Sequence, residues 1–283
     1  MKVLLVGAGG QLAQHLIPNF PHLVALTRHQ LDLTDRAQVT GALRHHRPDC
    51  VINAAAYTAV DLAEEQRDQA FATNADAPAA LAQECQKSST PLVHFSTDYV
   101  FPGGGSRPWK ETDACSPINQ YGASKWAGEE HVRRECEQHL ILRVSWLFGA
   151  FGQNFVKTIL RLAGEREQLR VVSDQQGCPT WCGHLSPVVQ GLLESRRWGT
   201  YHYCDAPASN WWEFARTVVD QAVELGWPLK AREVIPISTA DFPTKALRPT
   251  FSVLDCTRLA ELGIFQSDWC EGLERTLREL GRP

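Results

Sequence analysis

The sequence predicts an α/β fold: a Rossmann-like, doubly wound parallel sheet with a smaller C-terminal substrate-binding lobe. Three observations predict it. Short, almost wholly apolar runs alternate with longer amphipathic segments through the first half, and the first of these runs ends in the glycine-rich string GAGG. The second half then loses this regularity in Gly- and Pro-rich loops. Strands without polar alternation belong to parallel sheets covered on both faces, and repeated strand-helix units join through right-handed crossovers.

Strands are read at 2–6 (KVLLV), 23–26 (LVAL), 50–53 (CVIN), 92–96 (LVHFS) and 140–145 (LILRVS), with helices at about 11–19, 35–46, 64–87 and 119–138. Alanine and glutamate mark the last two helices. Further on, HLSPVVQGLLES and WWEFARTVVDQAVELG read as helices and TYHYC (200–204) as one more strand, while GGGSRPW (103–109) and DQQGCPTW (174–181) read as loops. The expected division is a dinucleotide-binding domain over 1–148 and a mainly substrate-binding lobe over 149–283, some of whose segments return to the sheet.

At 283 residues and 43% hydrophobic, the chain is long enough to bury a full α/β core. Its net charge of −4, without runs of one sign, offers no basic stripe to a phosphate backbone, so no nucleic acid partner is expected. The apolar run at the start stops at Val6, too short for a signal-peptide core or a membrane span. A cytoplasmic chain with no membrane partner is expected. Nine cysteines without a CxxC pair suggest reduced thiols rather than a disulfide framework. The cluster that merits a metal test is Cys178, Cys182 and His184 with His202 and Cys204; its spacing is not that of structural zinc, and incidental thiols are expected.

Gly7, Gly9 and Gly10 fall between the first strand and first helix, where glycines let the backbone approach a pyrophosphate that the helix N-terminus stabilises. Leu12 takes the last glycine position of GxGxxG, leaving GxxGxxA over Gly7, Gly10 and Ala13. A bland tight turn would use the same glycines, but the strand-turn-helix context favours a dinucleotide, with Gln11 and Leu12 expected at the same site. After the second strand, Arg28 can pair with a 2′-phosphate, which tilts the cofactor toward NADPH over NADH; a solvated surface Arg is the plain alternative. Asp32 and Leu33 are expected near the adenine, although Asp32, Thr34 or Asp35 would each serve to cap the helix that follows. Ala54, Ala55 and Ala56 leave room for a ligand against the third strand's end, with Asn53 bracing the loop.

Ser96, Thr97, Asp98 and Tyr99 end the fourth strand, on the edge where open α/β sheets bind ligands. Tyr121 and Lys125 are four apart on a helix and so share a face. An ammonium near a phenol stabilises the phenolate and makes the tyrosine a usable acid; the same lysine can hold ribose hydroxyls, and Thr97 can donate to a substrate carbonyl. An exposed Tyr and Lys on an amphipathic helix is the bland reading. The order of glycine turn, alanine loop, hydroxyl-bearing strand end and YxxxK outweighs it and points to carbonyl-alcohol hydride chemistry.

With its motifs in that order the chain resembles the extended short-chain dehydrogenase/reductase family. GAGGQLAQ, LDLTD, NAAAYTAVDLAE, STDYVF, YGASKWAGE, RVSWLFG, SDQQGCPT, TYHYC and RPTFSVLD carry the resemblance, which runs from residue 3 to about 255. It implies NAD(P)H-dependent reduction of the C4 ketone of a dTDP-linked 4-dehydro-6-deoxysugar. Tyr121 would protonate the new alkoxide, Lys125 would grip the nicotinamide ribose, and Thr97 would bind the carbonyl. The resemblance lines the sugar pocket with Thr58, Val60, Tyr99 and Trp146, the last suiting the apolar face of a deoxysugar. Asp98 and Asn154 join the expected substrate site, and Arg248 is the expected partner of the diphosphate. Some family members hold magnesium between glutamates of a dimer; Glu271, Glu274 and Glu279 are available, yet acids on an amphipathic helix usually face water, and no metal is expected. A monomer or homodimer is expected. The alternatives are a reductase for another sugar of this kind, or a non-catalytic regulatory subunit, against which Thr97, Tyr121 and Lys125 together speak.

Overall fold

A computed structural model describes residues 1–281. Strand β1 (Val3–Val6) leads through the glycine turn into α1 (Gln11–Leu16), followed by β2 (Leu23–Leu26), α2 (Arg36–His46) and β3 (Cys50–Asn53). Helices α3 (Val60–Ala63), α4 (Arg67–Phe71) and α5 (Ala77–Lys87) precede β4 (Leu92–Thr97), α6 (Gln120–Glu135) and β5 (His139–Val144). The second half holds β6 (Leu147–Phe148), α7 (Phe155–Glu165), β7 (Gln168–Val172), β8 (Gln176–Gly177), β9 (Thr180–Trp181) and α8 (Leu185–Ser195). It continues with β10 (Gly199–Tyr203), β11 (Ser209–Asn210), α9 (Trp211–Glu224), β12 (Glu233–Ile237), α10 (Thr257–Ala260) and α11 (Trp269–Leu280).

Six parallel strands form the central sheet in the order β2-β1-β3-β4-β5-β10, so the TYHYC segment joins it as an edge strand. Successive side chains on a strand point to opposite faces. Val3 and Leu5 accordingly pack with α1 and α8 through Leu12, Leu16, Leu185 and Val189, while Leu4 and Val6 pack with α2 and α5 through Val39, Leu43 and Leu81. Both faces are covered, which is why these strands read as continuous apolar runs. A separate core of β6, α7, β7, α9 and α11 gathers Phe148, Ile159, Leu169, Phe214 and Trp269. From β1 the chain crosses outward to β2 and then returns to the other side of β1 as β3, so the helices that follow β1 and β3 lie on opposite faces of the sheet and leave a crevice at the strands' carboxyl ends.

Several boundaries differ from the sequence reading, and short strands β8 and β9 lie within the segment 174–181 read as a loop. The helix expected over 64–87 is split: α4 and α5 are joined by a π-helical turn, Ala72–Asp76. Its widened turn carries Asn74 toward two neighbours, accepting from Tyr57 N at 2.8 Å and donating to Tyr57 O at 3.0 Å and Ser124 Oγ at 2.9 Å. Of the three candidate caps, Asp35 is the one that caps α2, its carboxylate accepting from Ala37 N and Gln38 N. Helix α6 stops at Glu135 because Cys136 is extended, three residues short of the expected end.

The π-turn and α6 meet closely: a Cβ at Gly128 would lie 2.0 Å from the Asn74 carbonyl oxygen. Gly128→Ala is therefore expected to destabilise the fold by about 1–3 kcal/mol through overpacking. Gly164→Ala, where an added Cβ meets nothing within 4 Å on α7, is expected to stabilise it by about 0.5–1 kcal/mol. Urea unfolding of the two variants checks the contrast.

Candidate active site

The crevice at the switch point is built by backbone contact. Gly7 has φ +80°, and a Cβ there would sit 2.5 Å from Ala55 N, so the glycine turn and the alanine loop touch main chain to main chain. Ala54 N donates to Val6 O at 3.1 Å, and the Asn53 side chain accepts from Ala55 N at 3.1 Å, bracing the loop. Gly7, Gly9, Gly10, Arg28, Asp32, Leu33 and Ala54–Ala56 line a cavity of about 250 Å³ whose floor is the start of α1. Its small residues, helix N-terminus and exposed Arg28 fit a dinucleotide. Two expected members turn away from it. The Gln11 side chain donates to Cys182 Sγ at 3.4 Å and accepts from Asn154 Nδ2 at 2.6 Å, and Leu12 is buried in the core beneath the sheet. Asp32 keeps its carboxylate for the Thr34 hydroxyl and N–H, which hold it below the usual carboxylate range.

At the end of β4, Thr97, Asp98, Tyr99 and Tyr121 converge. Asn119 caps α6 by accepting from Gly122 N at 2.8 Å, and Gln120 N donates to Glu64 Oε1 at 2.8 Å, so the helix begins against α3. Tyr121 packs edge-on against Tyr99, ring centroids 5.8 Å apart. Lys125 is buried and its ammonium donates to Phe95 O at 2.6 Å. Burial pulls Lys125 down to about 8, opposed by the charge of Glu129 one turn further on. Here the structure departs from expectation: burial pushes the Tyr121 phenol up to about 12, and the group pulling it back is the Thr97 hydroxyl. Desolvation dominates and the Asp98 charge acts in the same direction, so the tyrosine rests as a neutral hydrogen-bond donor rather than a phenolate. The Thr97 hydroxyl donates to Asp98 Oδ1 at 2.9 Å and accepts from Tyr99 N at 3.2 Å, so Asp98 sets where its proton points.

Residues 1–282 match the model of the RmlD substrate binding domain. The chain belongs to that family. The dTDP-4-dehydrorhamnose reductase of Escherichia coli strain K12 is 37% identical over 293 residues, covering 99% of this chain and 98% of that one. The protein of the same name from Aggregatibacter actinomycetemcomitans is 39% identical over 289 residues, covering 96% and 97%. Among solved structures, dTDP-4-dehydrorhamnose reductase from Bacillus anthracis str. Ames in complex with NADP has a TM-score of 0.93 at 38% identity, covering 99% of this chain and 100% of that chain. The UDP-glucose 4-epimerase of Thermus thermophilus, at 21% identity and a TM-score of 0.85, shares the fold, with 99% of each chain covered.

In this RmlD-family chain a second cavity, about 380 Å³, opens beyond Tyr99 and is lined by Asp61, Phe155, Trp211 and Arg248 among others. Arg248 is paired there, donating to Asp61 Oδ2 at 2.7 Å, a contact across 187 residues that no local signal announces. Asn154, expected at the substrate, instead caps α7 and donates to Gln11 Oε1 and Gly149 O. Thr58 is exposed on the loop after β3 and Val60 opens α3; neither lines this cavity. Trp146 does not line it either, since its ring is stacked on Trp211. Asp61, Phe155 and Trp211 are among the members that sequence reasoning missed, although the aromatic pair WW at a helix start was a signal for the last. The five residues weighed for a metal are dispersed: Cys178 and Cys204 lie with Cys256, Cys182 meets Gln11, His184 pairs with Asp205 at 2.9 Å, and His202 with Arg143 at 3.2 Å. Glu271, Glu274 and Glu279 are exposed on α11, Glu274 paired with Arg278. No group of three or more His, Cys, Asp or Glu among the described residues is arranged to hold a metal ion.

Asp98 is buried, with Oδ2 lacking a hydrogen-bond partner, and burial pushes it up to about 6 against the pull of the Ser252 and Thr97 hydroxyls. A carboxyl raised on folding contributes stability that is full below its unfolded value and lost as pH rises through about 6. Asp98→Asn should therefore gain on the wild type by up to about 3 kcal/mol between roughly pH 4 and pH 7. Urea midpoints of both proteins across that range check the sign; parallel curves would refute it.

Proposed function

We propose that this chain reduces the C4 ketone of dTDP-4-dehydro-β-L-rhamnose to dTDP-β-L-rhamnose with NADPH. The observation that carries the reading is that Tyr121 reaches Thr97 at the sheet's carboxyl edge while Lys125, one turn on along the same helix, is anchored on the same strand, in a chain similar over nearly its whole length to proteins named dTDP-4-dehydrorhamnose reductase. The crevice residues Gly7, Gly9, Gly10 and Ala54–Ala56 would hold the pyrophosphate side of the dinucleotide, with Arg28 at a 2′-phosphate. When bound, the reduced dinucleotide supplies the hydride.

The chain's own residues supply the rest. Tyr121 gives its phenolic proton to the C4 oxygen as that oxygen gains charge, so a ketone, a hydride and a proton become a secondary alcohol. Its neutral resting state suits it to donate. Lys125, pulled down to about 8, can lose and regain a proton near neutral pH and restores the phenol's proton. Thr97 binds the carbonyl once its hydroxyl turns from Asp98 to the substrate. Arg248, beside Tyr99 in the larger cavity, meets the diphosphate on exchanging Asp61 for phosphate oxygens. In this reading residues 1–148 bind the cofactor and most of 149–283 the nucleotide sugar. The reaction belongs in the cytoplasm, where the nine free thiols stay reduced. No helix among the described residues is long and apolar enough to cross a membrane.

Loss of nicotinamide absorbance in the presence of dTDP-4-dehydro-β-L-rhamnose is the test, with the product identified by NMR. Tyr121→Phe is expected to lower kcat by about a hundred- to ten-thousand-fold while NADPH still binds. A wild type that binds NADPH yet leaves the sugar unreduced would overturn the assignment.

A further inference from the structure

We infer that Gln11 and Asn154 are positioning residues for hydride transfer: the bond between their side-chain amides pins the helix that floors the dinucleotide crevice to the helix that walls the sugar cavity. The inference rests on the proposed function for the identity of the two ligands, and goes beyond it in giving a task to two residues that line neither cavity.

Gln11 is the first residue of α1 and follows Gly10 of the crevice. Both ends of its amide go to the second half of the chain: Oε1 accepts from Asn154 Nδ2 at 2.6 Å, and Nε2 donates to Cys182 Sγ at 3.4 Å. Cys182 lies where the chain passes from Trp181, in the core of the second lobe, to Leu185, in the core beneath the sheet. Gln11 and Asn154 are 143 residues apart, and the loop between β6 and α7 is laid along α1 to bring them together. A Cβ at Gly149 would lie 2.2 Å from His15 Nε2, and one at Gly152 would lie 3.1 Å from Gln11 Cβ. The Phe151 ring meets His15 edge-on, centroids 5.0 Å apart.

Asn154 is held as firmly. Its Oδ1 caps α7 by accepting from Lys157 N at 3.1 Å, while Nδ2 also donates to Gly149 O at 2.7 Å. Phe155, Thr158, Ile159 and Leu162 along α7 line the larger cavity. One amide-to-amide bond therefore joins the N-terminal ends of two helices, α1 under the dinucleotide and α7 beside the sugar. Hydride transfer needs its donor and acceptor carbons near contact, and a misplacement of about 1 Å costs about a hundredfold in rate. The Gln11–Asn154 bond fixes the spacing of the two helices and through them acts on that distance.

Kinetics and amide exchange test this. Gln11→Met keeps the length and helix preference of the side chain without its amide, and Asn154→Ser keeps the cap but is too short to reach Gln11. In each variant kcat per NADPH-binding site should fall about tenfold, and in Gln11→Met KM for NADPH and for the nucleotide sugar should stay within about twofold of wild type. Both changes break the same bond, so the double variant should fall no further than the slower single one. Counting NADPH sites by titration removes any loss of folded protein from the comparison. Unchanged kcat in either single variant, a raised KM with unchanged kcat in Gln11→Met, or losses that multiply in the double variant overturns the inference. A wild type that binds NADPH without turnover removes the proposed function instead, and amide exchange then decides. Bound NADP should slow exchange of the α7 amides about threefold or more in wild type and leave it unchanged in Gln11→Met. Slowing that persists in the variant, or that wild type lacks, overturns the inference.

Discussion

The bond from the Lys125 ammonium to the Phe95 carbonyl is the constraint around which the site is built. A charged group taken out of water is costly unless it finds a strong partner, and here the partner is the backbone of a central strand. The bond fixes how far along β4 helix α6 can sit. One turn earlier on the same face, Tyr121 arrives at Thr97; one turn later, Glu129 arrives at Arg143, both buried, with Nη2 and Oε2 2.7 Å apart. Tyr121, Lys125 and Glu129 thus form one stripe down α6, held by the sheet at two of its three positions.

Electrostatically, the site favours neutral forms. Low polarity disfavours charge whatever its sign, so the same burial raises Tyr121 and Asp98 and lowers Lys125. Burial leaves Lys125 below Tyr121, so a proton passes from the ammonium to a phenolate and not the reverse. Glu129 would on its own pull Lys125 firmly back to the charged form, but Arg143 and Arg133 share that carboxylate. The guanidinium of Arg143 lies over Phe101 and Trp126, so the counter-charge is itself packed and cannot swing away.

The second half closes the site by stitching its segment 244–252 onto the first. Asp61 takes both Ala246 N and Arg248, Asn119 Nδ2 donates to Leu247 O, and Phe251 N and the Thr250 hydroxyl donate to Gly103 O. Asn119 is also the cap of α6, so one side chain joins the helix that carries Tyr121 to the strap that carries Arg248. The larger cavity lies beside this strap, bounded on its far wall by α7 and α9.

What the sequence by itself determined was whatever depends on neighbours along the chain. Strand runs, the glycine turn after β1, the alanine loop after β3 and the helix that sets Tyr121 and Lys125 on one face all follow from local periodicity and from which residues tolerate a tight approach. Much of the lining of the dinucleotide crevice was legible for the same reason, since Gly7, Gly9, Gly10 and Ala54–Ala56 follow strand ends, whereas Thr73 on the π-turn and Ala77 at the start of α5 join it only in the folded chain. Tertiary structure decided what depends on solvent exclusion and on distant partners. It turned Gln11, Leu12 and Asn154 inward, broke the long helix at Asn74, paired Asp61 with Arg248 and covered Trp146 with Trp211. It also reversed the expected acidity of Tyr121, because spacing gives the distance to a lysine along a helix but not how much water reaches either group.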